Sequence, residues 1–177
     1  MHDRKVVLGL GSSLDGYIAR LNGNVDFLAM DPDHDWMAFF SRMDVWLMGR
    51  KSLDDAIKFG AGKSFASRGL RTIVFSRTLK QGDRKGVDIT NDSPGKVIAD
   101  LREKPGKDIW LGGGGELVRS FLEADLVDRI ELGIVPALIG EGIRLFPAGF
   151  PERKFCTVET KSYPKTGLVA LTYERMR

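Results

Sequence analysis

Four consecutive glycines, Gly112 to Gly115, directly follow the apolar run Ile109-Trp110-Leu111. Beyond them Leu117, Val118, Phe121, Leu122 and Leu126 recur at helical spacing. This reads as strand, tight turn, helix, and it restricts the chain to folds that couple a strand directly to a helix. Glycine is needed there because a Cβ would block close approach and oppose the φ > 0 angles of the turn. Bare backbone at a helix N-terminus offers unpaired N–H groups at the positive end of the helix dipole, which suits an anion such as phosphate. On this feature alone, a tightly packed junction without a ligand stays open.

The same alternation runs through the chain. Strands are expected over Val6–Leu10, Val45–Met48, Thr72–Phe75 and Arg129–Val135, with a short extended piece over Gly16–Ala19. Asp31-Pro32 reads as a helix start, with Asp as N-cap and Pro at the first helical position, followed by the apolar stripe Trp36, Phe39, Phe40 and Met43. Further helices are expected over Arg50–Phe59 and from Ser93-Pro94 to near Pro105, with loop over Gly60–Gly69. Lys154–Thr160 and Leu168–Glu174 alternate like an antiparallel pair. Together these imply an α/β fold: a mostly parallel sheet covered on both faces, with an antiparallel C-terminal edge. No repeat, linker or composition break divides residues 1–177, so a single domain is expected.

Composition narrows the function. The net charge of +3 comes from scattered lysines and arginines, which argues against a nucleic-acid arm or a polybasic membrane patch. No apolar stretch approaches the ~20 residues of a membrane span, and no signal-peptide pattern opens the chain, so a cytoplasmic protein is expected. The single cysteine, Cys156, excludes an internal disulfide and a Cys-rich zinc site, and reads as a buried, inert thiol. One cysteine and two histidines, His2 and His34, cannot supply a zinc deaminase centre or a credible Ser–His–acid triad. The acidic cluster Asp26, Asp31, Asp33, Asp35 lacks calcium-loop spacing, so no metal is expected.

Two nucleotide motifs also fail. Gly9-Leu10-Gly11-Ser12-Ser13-Leu14 has leucine where a dinucleotide fingerprint needs its third glycine. Gly62-Lys63-Ser64 has Ile57 where a P-loop needs its first glycine.

What survives is a set of strand-end segments. Gly49-Arg50-Lys51-Ser52 enters a helix, Ser76-Arg77 follows a strand, and Ser13 to Ala19 turns sharply beside the first strand. Ligands of open α/β sheets bind at the carboxyl ends of parallel strands, so these segments and the glycine turn could face one crevice. Each alone has a structural alternative; Ser76 could be a cap and Arg77 a surface charge.

These segments resemble the dihydrofolate reductase superfamily. Within it they are most similar to the reductase domain of the riboflavin-biosynthesis deaminase-reductase, the RibD C-terminal family. The resemblance runs from about Val6 to the C-terminus. It is carried by Gly113-Gly114-Gly115-Glu116-Leu117, Leu126-Val127-Asp128, Pro136, Gly140-Glu141-Gly142 and Leu145-Phe146, with Ser-Leu-Asp-Gly-Tyr-Ile-Ala from Ser13 and Met-Gly-Arg-Lys-Ser from Met48. It implies the three-layer dihydrofolate reductase-like fold, a homodimer, and NADPH as cofactor. Gly49, Arg50, Lys51 and Ser52 match the family's phosphate turn. Ser76 and Arg77 match the pair near the adenosine 2′-phosphate, and Gly113, Gly114, Gly115, Glu116 and Leu117 match the pyrophosphate turn. Arg129 departs from the acidic residue common after Leu-Val-Asp, a difference expected to concern a surface or dimer contact.

The implied activity is NADPH-dependent reduction of a pyrimidine- or pterin-like heterocycle, resembling 5-amino-6-(5-phosphoribosylamino)uracil reductase. The alternatives are dihydrofolate reductase activity, a non-catalytic NADPH-binding module, or a domain with no nucleotide. Hydride transfer asks little of side chains beyond orientation and a proton source. Asp33 and Asp35 are the available acids, Asp35 being the choice, against the alternative that it stabilises a helix N-terminus. Trp36 could stack on the substrate or belong to the core; Asp15 could line the crevice or form an Asx turn.

Overall fold

The computed structural model describes residues 4–29, 31–58 and 69–176. The apolar runs become strands β1 (Val6–Ser13), β2 (Tyr17–Ala19), β3 (Met43–Gly49), β4 (Arg71–Phe75), β5 (Asp88–Thr90), β6 (Asp108–Leu111), β7 (Arg129–Val135), β8 (Ile143–Arg144), β9 (Phe155–Tyr163) and β10 (Leu168–Arg175). The helices are α1 (Trp36–Ser41), α2 (Arg50–Lys58), α3 (Pro94–Arg102) and α4 (Gly115–Glu123).

Eight strands form one sheet in the order β5-β4-β3-β6-β1-β7-β10-β9. From β5 to β7 all neighbours are parallel, while β10 runs antiparallel to β7 and β9 antiparallel to β10. β2 and β8 pair separately. Side chains alternate across the sheet, and each face is covered. On one face Val6, Leu8, Leu47, Ile109 and Leu111 pack with Val97, Ile98 and Leu101 of α3 and Val118, Phe121 and Leu122 of α4. On the other, Val7 and Met43 pack with Phe39 and Phe40 of α1, and Met48 and Val74 with Leu53 of α2. This is the expected three-layer arrangement.

The N-terminus of α1 differs from expectation. Asp31 is buried, and its carboxylate accepts hydrogen bonds from the Thr166 hydroxyl (2.6 Å) and the Asp33 N–H (2.9 Å). That tether to the β9–β10 turn holds residues 31–34 in a turn, where Pro32 fits as well as it would in a helix. The helix begins at Trp36 instead, capped by Asp35, which accepts from the Ala38 N–H (2.9 Å). Cys156 is also not buried: it lies exposed on the outermost strand. Alternation within β9 cannot reveal that it is the last strand in the sheet order. The expected loop over Gly60–Gly69 and the end of the second helix at Phe59 fall outside the described residues, apart from Gly69.

Candidate active site

Strands β4, β3 and β6 are consecutive and parallel, so their carboxyl ends line one edge of the sheet. The chain leaving β6 folds back over β3: the Gly112 N–H donates to Leu47 O (2.9 Å), and the Gly49 N–H donates to Gly113 O (3.1 Å). Two helices start at this junction. α2 leaves directly from Gly49, and α4 starts at Gly115 with Gly114 as a cap that provides no side chain. Both begin at these strand ends; in α4 the Leu117 and Val118 N–H groups donate to Gly114 O (3.0 Å each), while the earliest N–H groups of a helix have no i−4 carbonyl within it. Gly113 has φ +89° and is joined to Gly114 by a cis peptide. A Cβ on Gly114 would stand 3.2 Å from the Ser52 hydroxyl. The phosphate-turn residues and the glycine turn, 65 apart in sequence between Gly49 and Gly114, are therefore in contact.

The cations around this junction are exposed. Arg50 stands 4.0 Å from Asp54, a loose pair, while Lys51 and Arg77 have no ion pair among the described residues. Ser76 is buried, and its hydroxyl accepts from the Thr78 N–H (3.2 Å) and the Leu79 N–H (2.9 Å). It shapes the turn that carries Arg77 past the end of β4. The other glycine-turn residues serve packing. A Cβ on Gly115 would lie 3.1 Å from Pro147, Leu117 packs on the core, and exposed Glu116 pairs with Arg119 at 3.0 Å.

The residues expected near a substrate are dispersed. The Asp15 carboxylate accepts from the Ser13 hydroxyl (2.5 Å), the Gly140 N–H (2.8 Å) and the Ile139 N–H (3.1 Å). The Ser13 hydroxyl, seconded by those amides, holds its pKa below the ordinary value of 3.8 although burial opposes this. It thus latches the 137–142 loop to the β1–β2 turn. Asp35 caps α1, and exposed Asp33 pairs with Lys165. Trp36 lies against His34 (ring centroids 4.2 Å apart) in a groove between α1 and strands β9 and β10, together with Trp110, Lys161 and Tyr163. None of the Gly112–Leu117 turn lines that groove.

Asp55 was missed in the sequence. It sits one turn beyond Ser52 on α2, and i,i+3 residues share a helix face. Its half-buried carboxylate abuts the loop at Gly23, where a Cβ would overlap it. Among the described residues it has neither hydrogen bond nor ion pair. The signal available was its spacing from Ser52; its isolation was not legible.

A family model, the RibD C-terminal domain, matches residues 4–167. The chain belongs to the RibD C-terminal domain family. The Bacillus subtilis (strain 168) protein YyaP is 35% identical over 185 residues, covering 98% of this chain and 96% of its own. A putative riboflavin biosynthesis protein from Shewanella sp. PV-4 superposes with a TM-score of 0.84 at 28% identity, covering 98% and 99% of the two chains. Dihydrofolate reductase from Enterococcus faecalis, complexed with NADP(H) and RAB-propyl, shares the fold at a TM-score of 0.69 and 18% identity over 98% and 97%.

Within the family frame, the motif aspartate Asp128 is structural. It is buried and accepts from the Val6 N–H (2.9 Å) and Arg102 (2.7 Å), fastening β1 to α3. Arg129 bridges Glu131 (2.6 Å) and Glu174 (2.8 Å) on its own sheet. No helix among the described residues is long and apolar enough to cross a membrane.

Proposed function

We propose that this protein is an NADPH-dependent reductase of a pyrimidine- or pterin-like heterocycle, resembling the uracil reductase of riboflavin biosynthesis. The observation that carries this reading is the junction of β3, β4 and β6, where two helix N-termini, a glycine cradle and the exposed cations Lys51 and Arg77 converge. Family membership and the NADP(H)-bound dihydrofolate reductase neighbour support the choice of cofactor.

The residues present fit that group. Gly113 and Gly114, with the first turn of α4, would hold the pyrophosphate on backbone N–H groups. Gly49 to Ser52 would neutralise the adjoining phosphate charge. Arg77 would make charge-assisted bonds to a 2′-phosphate that NADH does not have. When bound, NADPH supplies the hydride. The chain's own task is then to orient the heterocycle and deliver a proton, a step we assign to Asp55, the half-buried carboxylate one turn beyond Ser52 on α2 with neither hydrogen bond nor ion pair among the described residues.

Titration with NADPH and NADH, read by fluorescence and thermal shift, tests the reading. NADPH should bind at least about tenfold more tightly, because a charge-assisted bond is commonly worth more than ~1.4 kcal/mol. Arg77→Ala should erase the preference. Steady-state oxidation of NADPH with the ribosylaminouracil phosphate or dihydrofolate then selects the substrate, and Asp55→Asn should lower kcat while leaving NADPH affinity intact. Binding of neither cofactor overturns the proposal; binding without turnover over a panel of heterocycles reduces it to a binding module.

A further inference from the structure

Helices α3 and α4 cover only part of their face of the main sheet. Past α4 the sheet continues through β7, β10 and β9, where Ile130 is registered with Tyr173 and Arg175 with Phe155. The irregular segment 145–154 packs here instead of a helix, and its Phe146 and Phe150 rings meet edge to face with centroids 6.4 Å apart. Between that segment, Leu122 of α4 and the strands lies a cavity of about 400 Å³, lined by Phe146, Phe150, Phe155, Ile130 and Leu132. Small-molecule sites commonly enclose roughly 300–1,000 Å³. Phe146 is exposed, so the apolar lining reaches solvent. Contiguous apolar surface left open to water marks a binding site, whereas single exposed side chains do not.

The polar part of the lining is small and positive. Tyr173 adds a phenol, and Arg153 is the cation among the described lining residues. Arg153 Nε stands 3.0 Å from Asp125 Oδ1 without making a hydrogen bond, and Arg175 contacts the same carboxylate oxygen. One carboxylate shared by two guanidiniums leaves one positive charge in excess. The acids adjacent in sequence to this cluster do not supply the balance: Glu123 pairs with Arg119, Glu152 with Lys154, and Glu174 with Lys5 and Arg129. Both arginine side chains are largely shielded, at 16% and 14% exposure, and neither Nε has a hydrogen-bond partner among the described residues. A shielded charge in excess is unfavourable until a counter-ion meets it, and a guanidinium fork matches a carboxylate.

We propose that this cavity is a second ligand site, which takes a small apolar monocarboxylic acid with its hydrocarbon body against the phenylalanines and its carboxylate on Arg153. A single excess charge beside an apolar lining suits one carboxylate and disfavours a phosphate or nucleotide, whose further charge would be desolvated without a partner. The site is separate from the glycine turn, because Leu122 lies at the C-terminal end of α4 and Gly115 at its start. It holds whether or not the reductase reading does.

Calorimetric titration of the full chain at pH 7 with octanoate and with naphthoate tests it, each beside its alcohol, octanol or naphthalenemethanol. At least one acid should bind with a Kd below about 1 mM and about tenfold more tightly than its alcohol; which acid binds tells a chain-shaped ligand from a ring-shaped one. Arg153→Gln should weaken the acid about tenfold and leave the alcohol unchanged. Asp125→Asn, an exchange suited to the φ of +61° at that position, should tighten the acid several-fold by releasing both guanidiniums. A purely structural role for these side chains would change melting temperature and not the preference for acid over alcohol. Should Arg153→Gln fail to fold, the gain in Asp125→Asn decides. No binding at millimolar acid, equal binding of acid and alcohol, an Asp125→Asn variant without gain, or an acid displaced by NADPH would each overturn the proposal. Self-association lost on changing Phe146, with no acid bound, would overturn it in favour of a protein contact.

Discussion

The Ser52 hydroxyl faces Gly114 so closely that a Cβ on the glycine would stand 3.2 Å from its oxygen. The two helix N-termini of the site are thus separated by the thickness of one missing side chain. Gly114→Ala should lower NADPH affinity several-fold with little change in stability, and adding Ser52→Ala should recover part of the loss. Gly113→Ala behaves differently: at φ +89° a side chain is strained, and stability should fall by about 1–2 kcal/mol. Urea titrations beside cofactor titrations separate these two outcomes.

Asp15 latches a loop by accepting from the Ser13 hydroxyl and the Ile139 and Gly140 amides. Its folded-state pKa is depressed below 3.8, so the latch contributes stability above that pH, and the contribution is lost as pH falls through the lower folded value. Asp15→Ala should therefore melt below the wild type at pH 7, and the gap should close toward pH 3. An equal gap at both pH values would show that the carboxylate charge is irrelevant to the latch.

His34 gives the second pH effect. Burial first, and then Lys161, hold its pKa below 6.5, outweighing Asp31, Asp35 and Glu131. The unfolded chain takes up this proton at higher pH than the folded one, so stability should fall as pH drops from 6.5 through the folded value. His34 Nδ1 is 2.9 Å from the Tyr163 hydroxyl, a contact that Gln can partly replace. Between pH 7 and 5, His34→Gln should lose less melting temperature than the wild type does.

Removing the Asp128 carboxylate leaves the Val6 N–H and the Arg102 guanidinium without this acceptor. Asp128→Ala should cost about 1.5–3 kcal/mol in denaturant unfolding, and Asp128→Asn less, because its amide oxygen still accepts. Cofactor affinity measured on the folded fraction should not change, which distinguishes a fastening from a binding role.

The segments of the candidate site were legible before folding because they are backbone signals. A glycine run, a Gly-Arg-Lys-Ser turn and a Ser-Arg pair each announce a strand end through local chemistry, and the structure sets Gly49, Ser76 and Gly113 along one edge. The roles of Asp31 and Asp35 were harder to assign. Both are N-cap residues by type, and the choice between them rests on a hydroxyl at Thr166, 135 positions away.

Local periodicity and turn chemistry by themselves determined the alternation of strands and helices, the antiparallel C-terminal pair and the placing of glycines where a helix leaves a strand. Those are short-range effects, decided within a few residues by side-chain volume and backbone freedom. Only the tertiary structure decided that Asp55, beside Gly23, has no side-chain partner among the described residues and that Cys156 lies exposed on the last strand of the sheet. Burial and pairing depend on which strand is last in the sheet and which loop crosses which helix, and such contacts between distant residues leave no periodic trace in the chain.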